Sequence, residues 1–328
     1  MVALAHSPSP AFFELTWSRL GATPVGGGFA VWVRVDRAAA DVEVPDRVEA
    51  LRIEETGDVP RLRIRNDGPN KVLVAGNLVV KGGWQTRAIE RSIVLGPGTE
   101  AFVPVRCVEA GRWSGRDRQS AERFVGSEEL GLSMKRRAVA MKKESVRRGH
   151  GYTAPQGSMW SSVTEELTMH RLHSETSSYE AVLDGVRSRH RESARRERIE
   201  APEGANGVLL LPADGMPWLE VLPTHAALAS QLDRILPDLY EAQDRPREAA
   251  PVDPESVLAR IWESPMDPLE AVAGTLGASY AVTGRGLGGE LLLVDGALAH
   301  LACGELGVAG GAPEPPARPR RGPHHGAA

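Results

Sequence analysis

The sequence predicts an α+β fold, and three observations carry that expectation. From Gly28 to about Trp113, tight Gly, Pro and Asn turns cut the chain into short apolar and β-branched runs. Past Gly115 the apolar residues recur at helical spacing, and the C-terminal stretch returns to short strands. Closely spaced strands with tight turns argue for an antiparallel sheet, not for βαβ units.

Element by element, Phe29 to Val35 reads as a strand from its β-branched and aromatic content. Arg61 to Arg65 alternates strictly, with Arg61, Arg63 and Arg65 on a wet face and Leu62 and Ile64 on a buried one. Asn66-Asp67-Gly68-Pro69-Asn70 is a turn, after which Lys71 to Ala75 resumes a strand. Gly76-Asn77 precedes Leu78-Val79-Val80, and Gly82-Gly83 follows it. Two longer strands, Trp84 to Leu95 and Thr99 to Val108, flank Gly96-Pro97-Gly98. Met159 to Leu172 reads as a helix behind Pro155-Gln156-Gly157-Ser158. Tyr179, Val182, Leu183 and Val186 begin a long polar helix reaching about Ile199. Asn206-Gly207 opens the strand Val208 to Leu211, and Trp218 to Leu222 is another. Thr224 caps a helix whose stripe is Leu228, Leu232, Ile235, Leu236, Leu239 and Tyr240, with a restart at Pro237. A short helix near Ser256 to Trp262 and a hairpin of Ser279 to Thr283 with Glu290 to Val294 complete the series. The expected organisation is a loose leader (1–11), a main α+β domain (12–243), an acidic linker (244–255), a small C-terminal α/β segment (256–308) and a Pro-rich tail (309–328).

Composition narrows the function classes. The two cysteines, Cys107 and Cys303, exclude a disulfide scaffold and any four-Cys zinc module. No apolar run approaches the ~18 residues that span a bilayer. The N-terminus has no basic segment ahead of an apolar stretch, so a cytoplasmic location is expected. A net charge of −4 is too mild to name a partner.

The most distinctive stretch is Gly82-Gly83-Trp84-Gln85-Thr86-Arg87 followed by Pro104-Val105-Arg106-Cys107-Val108-Glu109-Ala110-Gly111-Arg112-Trp113. With Gly96-Pro97-Gly98 as a three-residue hairpin loop, Ile89 faces Val105, Arg87 faces Cys107 and Gln85 faces Glu109, all on one face. The other face carries Glu90, Ser92, Phe102 and Arg106. The first face is apolar near the turn and polar at its open end, where an amide, a guanidinium, a thiol and a carboxylate converge. Such a group is either a structural clamp built on an Arg–Glu pair or a polar pocket floor, with Arg112 and Trp113 closing one side.

These residues carry a family resemblance. The Gly-Gly-x-Gln-x-Arg stretch at 82–87 and the Cys-Val-Glu-x-Gly-Arg-Trp string at 107–113 resemble the ADP-ribosylglycohydrolase- and rhodanese-phosphatase-superfamily-associated protein domain. The resemblance runs from about Val48 to Tyr240, with Gln156, Trp160 and the stretch Gly204 to Leu211 as looser matches. It implies a link to ADP-ribose and phosphate-ester chemistry, but no defined reaction. Thr86 stands where the family favours Asn, which removes one amide contact.

Other features have plainer readings. Cys107 is a candidate nucleophile because a thiolate beside Arg87 would have a lowered pKa, yet its Val neighbours suit a small buried hydrophobe. Glu166, His170 and His173 fall on one helical face, compatible with a divalent metal but better explained as surface groups. Residues 134–198 hold 14 Lys or Arg against 8 acidic residues, in clusters around Lys135-Arg136-Arg137 with Lys142-Lys143 and around Arg187 to Arg198. No aromatic platform interleaves them, so a solvated face is expected rather than nucleic-acid binding. Gly284-Arg285-Gly286-Leu287-Gly288-Gly289 formally matches a dinucleotide fingerprint but precedes a strand, so it is a hairpin turn.

The expected function is therefore a binding or regulatory module for a small anionic or nucleotide-like ligand. Its site is Gln85, Arg87, Cys107 and Glu109, with Arg112 and Trp113 at the rim. The residues name no cofactor, no metal, no membrane and no protein partner. An alternative is a hydrolase of ADP-ribose-type or phosphate esters with Glu109 as general base. Another is a structural or partner-binding protein using its Arg-rich helix.

Overall fold

The computed structural model describes residues 15–45, 50–111, 124–241 and 252–307. The leader 1–11, Arg112, Trp113, linker residues 244–251 and the tail 309–328 lie outside the described residues. The first half is strand-rich: β1 (Trp17–Val25), β2 (Gly28–Val35), β3 (Val42–Glu43), β4 (Arg52–Glu55), β5 (Arg61–Arg65) and β6 (Lys71–Val74). Then come β7 (Leu78–Lys81), β8 (Arg87–Ile89), β9 (Ile93–Leu95), β10 (Glu100–Cys107) and β11 (Val125–Glu129). Helices α1 (Leu132–Arg147) and α2 (Gln156–Met169) follow. The next, α3 (Glu180–Val182), passes through a π turn at Leu183–Arg187 into α4 (Ser188–Glu197). Strands β12 (Gly207–Leu211) and β13 (Trp218–Val221) lead to α5 (His225–Ile235) and α6 (Pro237–Glu241). The last elements are α7 (Pro254–Trp262), β14 (Met266–Pro268), β15 (Ala278–Val282), β16 (Leu287–Val294) and β17 (Ala297–Glu305). The fold is α+β, as the sequence predicts.

Eight strands form one sheet in the order β1-β2-β12-β13-β17-β16-β15-β14. Six form a second, β11-β7-β8-β10-β5-β4, and three a third, β3-β6-β9. Residues 256–308, expected as a small terminal segment, contribute β14 to β17 to the sheet that begins with the first hairpin. There β17 lies between β13 and β16. Period-two alternation gives this sheet two apolar faces. Val31, Val33, Leu209, Leu219 and Leu301 pack with Val257, Leu258 and Ile261 of α7. Ala30, Trp32, Val208 and Leu210 pack with Leu228, Leu232 and Ile235 of α5 and Leu239 of α6. The Thr224 hydroxyl accepts the Ala227 amide at 3.0 Å, which caps α5 as expected.

Three expectations need correction. The run from Trp84 to Leu95 is not one strand. It breaks at Glu90–Ser92, so β8 pairs with β10 while β9 turns away to pair with β6. The cause lies in the side chains at the break. Glu90 accepts the Thr153 hydroxyl and the Ala154 amide at 2.8 Å each, and Ser92 Oγ accepts the Gly76 amide at 2.8 Å. These partners come from distant segments and pull the backbone out of the ladder. The first half of β10 pairs with β5 instead, Glu100 opposite Arg65. The register deduced for the second half nevertheless stands, with Val105 opposite Ile89 and Cys107 opposite Arg87.

The second correction is α1, a helix of 16 residues that the apolar pattern did not reveal. Its inward face mixes Leu132, Met134, Ala138 and Val139 with Lys135, Arg136 and Lys142, all buried. The third correction concerns those cations. They were expected on a solvated face, and they are core residues.

Candidate functional site

The β8–β10 pairing brings four of the singled-out side chains together. Gln85, Arg87 and Cys107 are 0% exposed and Glu109 3%. The Cys107 thiol donates to Gln85 Oε1 at 3.0 Å, and Gln85 Nε2 donates to the Glu109 carbonyl at 3.2 Å. Glu109 Oε2 accepts the Thr86 amide at 3.0 Å, and the Thr86 hydroxyl donates to Glu180. Gln156, at the start of α2, grips the Cys107 backbone at both ends: its Oε1 accepts the amide at 3.1 Å and its Nε2 donates to the carbonyl at 2.7 Å. The residues that carried the resemblance thus sew segments 84–87 and 107–111 to α2 and to the segment before α3.

The Arg87 partner is not Glu109. Its Nη1 lies 2.7 Å from Glu55 Oε2 on β4, and Glu55 Oε1 accepts the Trp84 amide at 2.7 Å. Sequence reasoning missed Glu55 because β4 reaches this point through β5 and β10, a relation no spacing reveals. The remaining guanidinium donors, Nε and Nη2, are buried without a hydrogen-bond partner. Gly83 lets the strand end come close, since a Cβ there would meet Phe124 Cζ at 2.3 Å and Glu55 Oε1 at 2.6 Å. Burial pushes the Cys107 thiol above its ordinary value, and the charge of Arg87 beside it does not reverse this. At neutral pH the sulfur is a hydrogen-bond donor and not a thiolate.

The remaining candidates resolve differently. Glu166 is buried, accepts the Ser133 hydroxyl at 2.7 Å and lies 3.6 Å from His170 Nε2, while His173 sits beyond the end of α2 and is exposed. Among the described residues no group of three or more His, Cys, Asp or Glu is arranged to hold a metal ion. In the second basic cluster Arg191 pairs with Glu128, Arg195 with Asp233 and Arg196 with Glu192. Of the glycine-rich stretch at 284–289, Gly284 to Gly286 lie in the turn between β15 and β16, and Leu287, Gly288 and Gly289 already belong to β16.

A second polar centre, without a signal in the sequence, lies between the sheets. Glu220 on β13 and Glu290 on β16 both face Ala302 of β17, and His300 lies two residues away on the same face. From α1, Lys135 reaches Glu129 at 2.8 Å, Glu220 at 3.2 Å and Asp238 at 3.4 Å. Arg187 binds the other Asp238 oxygen. Burial opposes a charge on Lys135, but its three carboxylates outweigh that and hold its pKa above the ordinary lysine value. Burial likewise opposes a charge on Glu220, and Lys135, His300 and Trp218 together hold its pKa below the usual range. A cavity of about 20 Å³ opens here, between Leu73, Val74 and Leu78 on one side and Leu222 and Ile235 on the other. Glu129, Glu220 and His300 form its polar end, and it has room for about one water.

Fold and site together define an α+β protein in which charged side chains are buried in paired clusters at the junctions between sheets. A sequence profile of the ARG and Rhodanese-Phosphatase-superfamily-associated Protein domain matches residues 30–303, and the chain belongs to that family. The match extends past both ends of the 48–240 stretch that carries the resemblance, and takes in most of β2 and of β17. No curated protein and no solved structure matches the chain. No described helix is long and apolar enough to cross a membrane.

Proposed function

We propose that the chain is a small-molecule-binding module that recognises an anionic or nucleotide-like ligand, of the phosphate- or ADP-ribose-bearing kind, through Arg87. One observation carries this reading. Arg87 is fully buried, its Nη1 is committed to Glu55, and its Nε and Nη2 meet no oxygen acceptor, with the Cys107 sulfur as the polar neighbour of the guanidinium. Those two donors form the side-on fork of a guanidinium, two parallel N–H bonds spaced to match two oxygens of a phosphate or carboxylate. Each desolvated donor left unmade costs about 1–3 kcal/mol, more when charged, so a seated oxyanion recovers what the empty fork forfeits. Glu55 fixes the opposite edge and so preorganises the fork. Gln85, Cys107 and Glu109 hold the strand ends around it. The family description, with its ADP-ribosylglycohydrolase and phosphatase associations, favours this ligand class over other anions. Glu55 and the half-buried Gly82 to Trp84 form the edge nearest solvent, so entry requires local opening and association is slower than diffusional docking.

The test is a thermal-shift and calorimetric panel of ADP-ribose, ADP and inorganic phosphate on the full chain and on Arg87→Lys, which keeps the charge and removes the fork. A ligand at 100 times its Kd adds about 2.7 kcal/mol of stability, and the Lys variant should lose that shift. No shift with any of the three, or one that survives Arg87→Lys, overturns the reading. Consumption of ADP-ribose by the parent chain that disappears in Glu109→Gln would replace it with the hydrolase alternative.

A further inference from the structure

The hydrogen bonds around His300 run in one direction. Ser92 Oγ lies 2.6 Å from Glu290 Oε1 and donates to it, and it accepts the Gly76 amide at 2.8 Å. Ser92 has no second proton, so the 2.7 Å contact to His300 Nδ1 is a bond in which the ring donates. On the other side Nε2 lies 3.4 Å from Glu220 Oε2, a carboxylate oxygen that only accepts. A ring protonated on both nitrogens fits both contacts. We infer that His300 is a proton-dependent latch: as an imidazolium it ties Glu220 of β13 to the Ser92–Glu290 pair, and so fastens the eight-stranded sheet to the bend between β8 and β9.

The charged groups around the ring are of both signs, the buried Lys142 beside Glu90 and Glu290 among the cations, and it is the carboxylates that favour a held proton. From β13 comes Glu220, from β16 Glu290, and from β11 Glu129; the bend adds Glu90 and Arg91, and Lys135 of α1 neutralises Glu129 and Glu220 from behind. Arg234 of α5 lies across the cavity, with Asp238 of α6 and Arg187 one bond further on. Burial alone would lower the His300 pKa; Glu220 first, then Glu290 and Glu129, outweigh it and raise it above the ordinary value. The sign follows from linkage. A group whose folded pKa is raised gives its full contribution below the unfolded value of about 6.5 and loses it as pH climbs through the folded value. When the ring loses its proton it can donate to only one of Ser92 and Glu220, so one of its two contacts beside the cavity is lost.

The experiment is ring-proton NMR titration of His300 in the full chain, with amide exchange at Gly76 and Ser92 across the same pH range. The expected result is a midpoint above 6.5, exchange at both amides that accelerates through that midpoint, and a folding constant that falls by up to tenfold per pH unit between the two pKa values. Ser92→Ala removes the Nδ1 acceptor and should move the midpoint down; His300→Gln should abolish that segment of the pH–stability curve. A His300 midpoint at or below 6.5, or exchange at Gly76 and Ser92 that ignores pH, overturns the latch, and the titration needs no variant to fold.

Discussion

At the scale of single residues, the side chains that decide this protein's character are charged and buried. Arg87 has one carboxylate, and removing it leaves an uncompensated cation in the core. Glu55→Ala is therefore expected to cost about 3–5 kcal/mol in urea unfolding. Glu55→Ala combined with Arg87→Met should recover part of that loss, because an apolar pair needs no solvation. Gly76 is the other residue with a sharp expectation. A Cβ there would meet Glu290 Oε1 at 2.2 Å, so Gly76→Ala pushes that carboxylate off Ser92. About 1–3 kcal/mol of destabilisation and a lowered His300 midpoint are the results to look for. Of the first centre, the Arg87–Cys107 pairing is legible because strict alternation and the register give it, and Gln85 and Glu109 adjoin it just beyond the ends of β8 and β10. Glu55 was not, since it reaches them across two intervening strands. The second centre left no trace at all. Glu220, Glu290 and His300 are isolated polar residues in largely apolar strands that only the order β13-β17-β16 makes neighbours, and Ser92 joins them from the distant bend between β8 and β9.

At the scale of elements, α1 shows why a helix can hide. Periodicity finds a helix when its inner stripe is apolar, and here Lys135, Arg136 and Lys142 occupy part of that stripe. Each has an internal answer: Lys135 its three carboxylates, Arg136 Asp214 and the Met216 carbonyl, Lys142 the Glu90 carbonyl and the Tyr152 ring at 4.9 Å. Lys135→Met is expected to destabilise by about 3–5 kcal/mol, since Glu129, Glu220 and Asp238 then share a dry site with less positive charge. Calorimetric melts of the variant and the parent measure that difference. By contrast α5 is legible down to its cap, because Thr224 and the Leu228–Leu232–Ile235 stripe are local signals. Thr224→Ala should cost about 1 kcal/mol, checked by urea midpoint at unchanged slope. The exposed α4 pairs, Arg195 with Asp233 and Arg196 with Glu192, should be nearly neutral to alanine, since surface ion pairs contribute little.

At the scale of the whole molecule, the sheet disregards the sequence divisions. Short runs and linkers suggest a body and a small terminal unit, whereas β17 pairs along its length with β16 and through Leu301 to Gly304 with β13. A chain ending after Glu241 would lose β14 to β17 together with α7, and with them the cover over Leu219 and Val221. It is expected to lack a cooperative melt by circular dichroism; a sharp transition in that truncation would show that the first 241 residues fold alone. The α+β class was legible because it rests on local periodicity, and the sheet order was not because it rests on pairings between distant segments.

The central place of β17 also bears on how the protein is born. On the ribosome, β13 emerges early and waits with one bare edge while α5, α6, α7 and three further strands are made. Only when residue 305 is out can the last strand slide into the gap. Through that interval the nascent chain offers a ready template to any stray strand, so its yield in the cell should depend on holdase chaperones and on synthesis speed more than its finished stability suggests.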